Sequence, residues 1–317
     1  GEVGLNTPNV KLLFEKPFGV DLVSAQEVIE RTARYYSEEQ IYRIDHYLAK
    51  EMVQNLVALR SENALFSHIW DGSSIEKIEI LALEQLDIEG RAQFYEQTGA
   101  LRDVLQGHLM QLLALMLMEL PTDFTWDDLP KLREQALQAV RPAAASDAMR
   151  AQYEGYGQEV GNVGSMTETF VSLSLCSDAP QWKDVALRLT TGKALSQKST
   201  EIRIFLRKTH DSQRNVITLC IQPGENIEIE LAIKKPGYDR EFVANRLRFD
   251  YPTDTVLPDA YEHVLLDAVR SRQSLFASSG EVLRSWEIVQ PVLDAWEMEG
   301  APLQTYEKGQ DATDIVA

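Results

Sequence analysis

Only two cysteines, Cys176 and Cys220, occur in 317 residues. Two thiols build neither a disulfide framework nor a zinc set, so a reducing compartment, the cytoplasm, is the expectation. Both lie in apolar alternating runs and read as small buried strand residues. Positive charge is scarce too. Against 49 acidic side chains stand 31 Lys and Arg, a net charge of −18 with a sequence pI near 4.7. That surface argues against nucleic acid as a partner and against docking on an anionic membrane. Long hydrophobic runs are missing as well. The most apolar, "HLMQLLALMLMEL" at 108–120, is too short and too polar at its start to span a bilayer. No signal peptide is visible, and "GEVGLNTPNV" without an initiator Met reads as a processed or cut start. There is no internal repeat and no low-complexity block.

What is present is an ordinary globular composition, 44% hydrophobic and 25% charged, with enough apolar residues for a large core. In so acidic a molecule, an anionic substrate needs a local basic pocket. Clustered Lys and His therefore carry more information here than in a basic protein.

"NVKLLFE" (9–15) is a short buried strand stopped by the turn residues Pro17 and Gly19. "DLVSAQEVIERTARYY" (21–36) has helical spacing, with Leu22, Ala25, Val28, Ile29 and Ala33 on one face and Asp21 or Ser24 as its cap. One or two helices follow over 50–70, a strand over 74–86, the strongest helix over 98–121 and another helix over 126–140. From about residue 166 the texture changes to "TETFVSLSL", "VALRLTTG", "EIRIFLRK", "NVITLCIQP" and "NIEIELAIKK". Successive strands with short breaks predict an antiparallel sheet. Helices return at 259–272 and 281–298, and the polar end "EKGQDATDIVA" is expected to fray. The fold class is α+β, a large mainly antiparallel sheet with helices packed on one face.

Seven side chains stand out on chemical grounds. In "RIDHYLAKE" (43–51), Asp45 suits an N-cap, which sets His46 and Lys50 four apart on one helix face. Two cationic donors at a helix start suit a phosphate dianion. The plainer reading is a capped, solvated helix start. His108 lies on the apolar helix, where a lone histidine is commonly a satisfied core residue. Its neighbour Gly107 costs roughly 1 kcal/mol of helix propensity relative to Ala and reduces crowding beside it. Lys16 ends a buried strand, the end that faces the ligand crevice in α/β sheets, or else is a surface turn lysine. Lys193 and Lys198 in "TTGKALSQKSTE" are, taken alone, loop lysines that keep a hairpin soluble.

Together, "EKPFG", "RIDHYLAKE", "VQN", "GALRD" with "QGHLMQ", and "TGKALSQK", in this order and spacing, resemble glucose-6-phosphate dehydrogenase. "YEHVLLDAVRSRQSLF" and "SWEIVQPVLDAW" are similar to its closing helices, so the resemblance runs over essentially the whole chain. It implies that His108 is the general base for the C1 hydroxyl of glucose 6-phosphate and that Asp45 orients it. It further implies that His46, Tyr47 and Lys50 hold the 6-phosphate, and that Glu84 and Asp103 accept bonds from sugar hydroxyls. Lys16 would sit between sugar and nicotinamide, and Lys193 and Lys198 would close the sugar side. Hydride would pass to NADP or NAD, and no metal is implied. In the family, Pro17 is typically cis and the large sheet forms a homodimer.

The chain departs from that pattern in one large respect. No glycine-rich phosphate loop follows a strand, so the main coenzyme determinants, and the N-terminal coenzyme domain itself, are expected to be absent. Residues 1–40 are read as the C-terminal remnant of that domain and 41–317 as the substrate and dimerisation domain. Such a fragment is expected to be inactive alone. The alternative is a non-catalytic scaffold that binds sugar phosphates. Smaller departures are Ala49 and Gly107, where the resemblance leads one to expect Gly and Asn, and Ser61 where it leads one to expect Phe. The end also lacks the usual Ser-Trp-Gly-Pro.

Overall fold

A computed structural model describes residues 7–209, 213–251, 259–298 and 301–316. A small sheet opens the chain. Strand β1 (Leu12–Phe14) pairs in parallel with β2 (Ile41–Ile44), and helix α1 (Leu22–Ala33) makes the crossover between them. The late strand β11 (Phe276–Ala277) adds to the free side of β2 in the antiparallel sense. Asp21 caps α1 by accepting from Ser24 N at 2.7 Å, while Ser24 Oγ accepts from Asp21 N at 3.1 Å. Both proposed capping residues thus act in one box. Leu22, Ala25 and Ile29 pack inward as expected, but Val28 and Ala33 are exposed.

Nine strands form the large sheet. Their spatial order is β10 (Phe242–Asp250), β9 (Asn226–Lys234), β8 (Val216–Gln222), β7 (Ser199–Leu206), β3 (Ile75–Leu83), β6 (Ala186–Gly192), β5 (Phe170–Leu175), β4 (Ala148–Tyr153) and β12 (Gln304–Tyr306). Every neighbouring pair is antiparallel except β3–β6 and β4–β12. The α+β architecture with a mainly antiparallel sheet is therefore observed.

Alternation along β3 separates two cores. Ile78, Ile80 and Ala82 face the main core, shared with helices α2 (Glu51–Ser61), α5 (Met110–Leu117), α6 (Leu129–Gln138) and α9 (Ser279–Trp296). Leu81 and Leu83 face a smaller core with Tyr95, Tyr153, Phe170 and Tyr306. There α7 (Tyr156–Glu159) contributes Tyr156, and α10 (Ala312–Val316) contributes Ala312 and Ile315. The helices are thus concentrated on one face but not confined to it. The expected fraying end is folded, because β12 and α10 bury Tyr306, Ala312 and Ile315.

Other differences have local causes. The 50–70 stretch divides into α2 and the short α3 (Ala64–Ser67). Strands β2, β4, β10 and β12 carry charged or small residues and lack a clean alternation, so sequence reading passes over them. Cys176 is exposed just past β5, and Cys220 is half-buried on the β8 face opposite Leu219 and Ile221. Neither is a core residue. α8 (Ala260–Val269) is capped by Asp259, and Ser278 and Glu281 form a capping box on α9.

The helix predicted over 98–121 is three pieces. α4 (Ala92–Ala100) breaks at Gly99, whose φ of 66° no side chain tolerates well. A π-helical segment spans Leu101–Leu109, and α5 follows. At its start, Ala100 N donates to the Glu168 carbonyl and Leu101 N to the Glu168 carboxylate. At its far end, Arg60 takes the Leu115 and Met118 carbonyls, Trp70 that of Met116 and Trp182 that of Leu117. The terminal carbonyls that a helix leaves unpaired are thus all held by side chains. Among the described residues, no helix is long and apolar enough to cross a membrane.

Candidate active site

Strands β1 and β2 end side by side. Their register pairs Phe14 with Arg43, and carrying it two residues further sets Lys16 opposite Asp45. Both residues therefore leave the C-terminal ends of adjacent parallel strands, the end where α/β sheets bind ligands. The Lys16–Pro17 peptide is cis.

Asp45 is not a helix cap. Residues 45–50 form turns, and α2 begins only at Glu51, with Lys50 as a cap that makes no side-chain bond. Asp45 Oδ1 instead accepts from Tyr47 N at 2.9 Å, closing a tight turn on itself. His46 and Lys50 are consequently not on a shared helix face. The turn sends Asp45 toward the π-helical segment, where the same Oδ1 meets His108 Nδ1 at 2.8 Å. Asp45 is 2% exposed and His108 is 8% exposed.

An acceptor-only carboxylate on Nδ1 fixes the proton there, so Nε2 keeps its lone pair. The ring of Tyr47 stacks on His108 at 4.5 Å with a 20° tilt, and His46 meets its edge at 4.6 Å. The imidazole is locked in plane and in tautomer. The π-helical backbone matters as well, because it pairs residues five apart. Asp103 and His108 have that spacing and both line the cavity.

The cavity holds about 260 Å³ and is lined by Lys16, His46, Asp103 and His108, with Glu15, Arg102 and Tyr261 at its edge. Sequence reasoning named the first four. It missed Glu15 and Arg102 although they stand inside "EKPFG" and "GALRD", and it had no signal for Tyr261.

Charge at the site is uneven. Burial opposes the Asp45 carboxylate, but His108, Lys16 and His46 together hold its pKa well below the usual range. Burial, then His108, Lys50 and Lys16, push His46 down to about 4, with Asp45 opposing. His46 is therefore neutral near pH 7, which corrects the expectation of two cationic donors: the positive charge belongs to Lys50. Burial also lowers Lys50, as does Lys198 across from it, while Glu225 and Asp259 oppose them. Burial lowers half-buried Lys16 against the pull of Asp45 and Asp103.

Glu84, Lys193 and Lys198 stand just past β3, just past β6 and in the β6–β7 loop, and are not among the residues that line this cavity. Lys193 Nζ bonds Glu84 Oε2 at 2.7 Å and lies 5.5 Å from the Tyr95 ring centre. Lys198 is exposed in the loop between β6 and β7. Among the described residues, no group of three or more His, Cys, Asp or Glu is placed to hold a metal.

A tautomer-fixed imidazole in a cavity that Lys16 also lines is equipped to take a proton from a substrate that also carries an anionic group. Lying between the βαβ unit and the α4–π-helical stretch, with Tyr261 of α8 beside it, it has the layout of a two-part oxidoreductase. The comparisons make this particular. The family model described as glucose-6-phosphate dehydrogenase, C-terminal domain, matches residues 57–315, and the one described as glucose-6-phosphate dehydrogenase, NAD binding domain, matches 1–55. Glucose-6-phosphate 1-dehydrogenase of Gluconobacter oxydans (strain 621H) is 37% identical over 99% of this chain and 69% of its own length. That of Chlamydia muridarum is 36% identical over 93% of this chain and 63% of its own. A solved glucose-6-phosphate dehydrogenase in complex with glucose-6-phosphate superposes with a TM-score of 0.90 at 31% identity, over 95% of this chain and 66% of that one.

The chain belongs to the glucose-6-phosphate dehydrogenase family, a family of oxidoreductases. It spans about two thirds of the length of these relatives. The match over 1–55 corrects the expectation that the coenzyme domain is absent, since part of it is here.

Proposed function

We propose that this chain is the substrate-binding and catalytic part of a glucose-6-phosphate dehydrogenase, oxidising glucose 6-phosphate at C1 to 6-phosphogluconolactone within the pentose phosphate pathway. The observation that carries the reading is the 2.8 Å Asp45–His108 bond, made through Nδ1 by a histidine that lines the cavity. His108 Nε2 removes the C1 hydroxyl proton, and Asp45 stabilises the imidazolium as it forms. Lys50 supplies charge to the 6-phosphate, and His46 and Tyr47 supply uncharged donors. Asp103 and Glu84 accept from sugar hydroxyls, while Lys193 and Lys198 close the sheet side.

The nicotinamide of NADP or NAD, when bound, accepts the hydride from C1. The crevice at the ends of two parallel strands fits such a group, and Lys16 is the residue of this chain that would face it. Residues 1–40 belong on this reading to the coenzyme side and 41–317 to the substrate side, with β2 joining the small sheet across the division.

Coenzyme reduction with glucose 6-phosphate, measured on the whole gene product, tests the assignment. His108→Asn should lower kcat by about 10²–10⁴. Retention of most of the turnover would sink the assigned base.

The chain forms a homodimer through the large sheet on this reading. Supporting it, β10 and β9 leave Phe242, Leu247, Phe249 and Ile233 exposed along one edge of that sheet. Light scattering should give twice the chain mass at tens of micromolar. A strict monomer, or a dimer unaffected by Phe242→Glu with Phe249→Glu, would contradict it.

A further inference from the structure

The end of the Lys16 side chain lies where a side chain at position 107 would begin. A carbon added to Gly107 would stand 2.9 Å from Lys16 Cε and 3.5 Å from Cδ, and closer still to Nζ. Lys16 Nζ donates to the Asp103 carbonyl at 3.0 Å, on the turn just before Gly107. The carboxylates of Asp45 and Asp103 draw the ammonium there. A glycine in the interior of a helix is otherwise unfavourable relative to Ala. The bare backbone is thus matched to one occupant.

We propose that Gly107 is a positioning residue: its missing side chain makes a seat that holds the Lys16 ammonium on the Asp103 carbonyl, beside Asp45. A side chain at 107 closes the seat and drives Lys16 outward into the cavity that it lines with His46 and His108. Seated, Lys16 neutralises part of the charge of the carboxylate that orients His108. Displaced, it faces the ligand. The consequence for a sugar phosphate rests on the proposed function, whereas the seat itself is read without substrate.

The seat is tested by a thermal cycle of Gly107→Ala in two backgrounds. With Lys16 replaced (Lys16→Met), Ala at 107 should raise Tm by about 1–2 °C through helix propensity. With Lys16 in place, the same change should leave Tm unchanged or lower it. Equal shifts in the two backgrounds would overturn the seat.

The second readout is kinetic, on the whole gene product. Gly107→Asn should lower KM for glucose 6-phosphate about threefold or more, with kcat within about twofold, as a displaced lysine adds an ion pair to the ligand. In the Lys16→Met background this shift should vanish. A shift that persists there, or none with Lys16 present, overturns the positioning role. A wild-type protein that does not turn over glucose 6-phosphate defeats the proposed function instead, and the thermal cycle still decides the seat.

Discussion

Asp45 and Glu281 are both carboxylates out of reach of water, and each meets a basic side chain at hydrogen-bond distance. Asp45 meets His108 at 2.8 Å, and Glu281 meets Arg133 Nε at 2.7 Å and Nη2 at 3.3 Å. The second pair is closed. Arg133 gives its other donors to the carbonyls of Ser274 and Phe276, and Glu281 also accepts from Ser278 N. Together they tie α6, β11 and α9 into one block. The first pair is open, because His108 meets Asp45 through Nδ1 alone and lines a cavity.

Their electrostatics differ in the same sense. Burial outweighs Arg133 and raises the Glu281 carboxyl, whereas at Asp45 three basic groups outweigh burial and lower it. A buried charge pair is thus no sign of function by itself. Function needs an unspent valence aimed at empty space and more charge than one partner explains.

The contrast can be broken by mutation. Arg133→Ala strands a buried carboxylate, and denaturant melts should show a loss of about 3–5 kcal/mol. A loss below about 1 kcal/mol would show that the pair holds nothing together. Asp45→Asn keeps an oxygen for Tyr47 N but no charge for the imidazole. It should cost only about 1–3 kcal/mol of stability while kcat falls by about 10²–10⁴. Equal stability losses at the two sites would erase the distinction. Because the Asp45 pKa is lowered on folding, its contribution is complete above the ordinary carboxylate pKa and fades as pH falls below it.

His46 gives the smallest and most discriminating effect. Its folded pKa of about 4 lies below that of a free imidazole, so the unfolded chain binds more protons in between. Stability is complete above about pH 6.5 and declines as pH falls toward 4. His46→Gln should make the Tm drop between pH 7 and 5 shallower by a few degrees at most. An unchanged slope would mean that His46 is not held neutral.

Sequence patterns made some of this legible and hid the rest for physical reasons. Alternation in "EIRIFLRK" and "NVITLCIQP" announces β7 and β8, because one face of each is buried. β10 has no buried face among its residues, so nothing in its hydropathy marks a strand. The site residues are legible only through motif resemblance, since polar side chains 63 positions apart, such as Asp45 and His108, carry no local signal of contact. The short turn at 45–50 reads as a helix start because Asp in an Asx turn and Asp at a cap look identical in sequence. The π-helical geometry is likewise invisible, since Leu101, Leu105 and Leu109 fit an α-helical stripe equally well.

That segment has a consequence for the history of such a chain. A π-helical stretch behaves as an α-helix that has gained a residue. Glu168 pins one end, and Arg60, Trp70 and Trp182 pin the other. Removing one residue between 101 and 107 would therefore take up the bulge and leave a plain α-helix, with α5 and its capped carbonyls kept close to their places between the two pins. What would be lost is the five-residue pairing that brings Asp103 and His108 to the same cavity. The stretch is thus one in which a single-codon deletion would spare the anchors at both ends and remove the placement of the site between them.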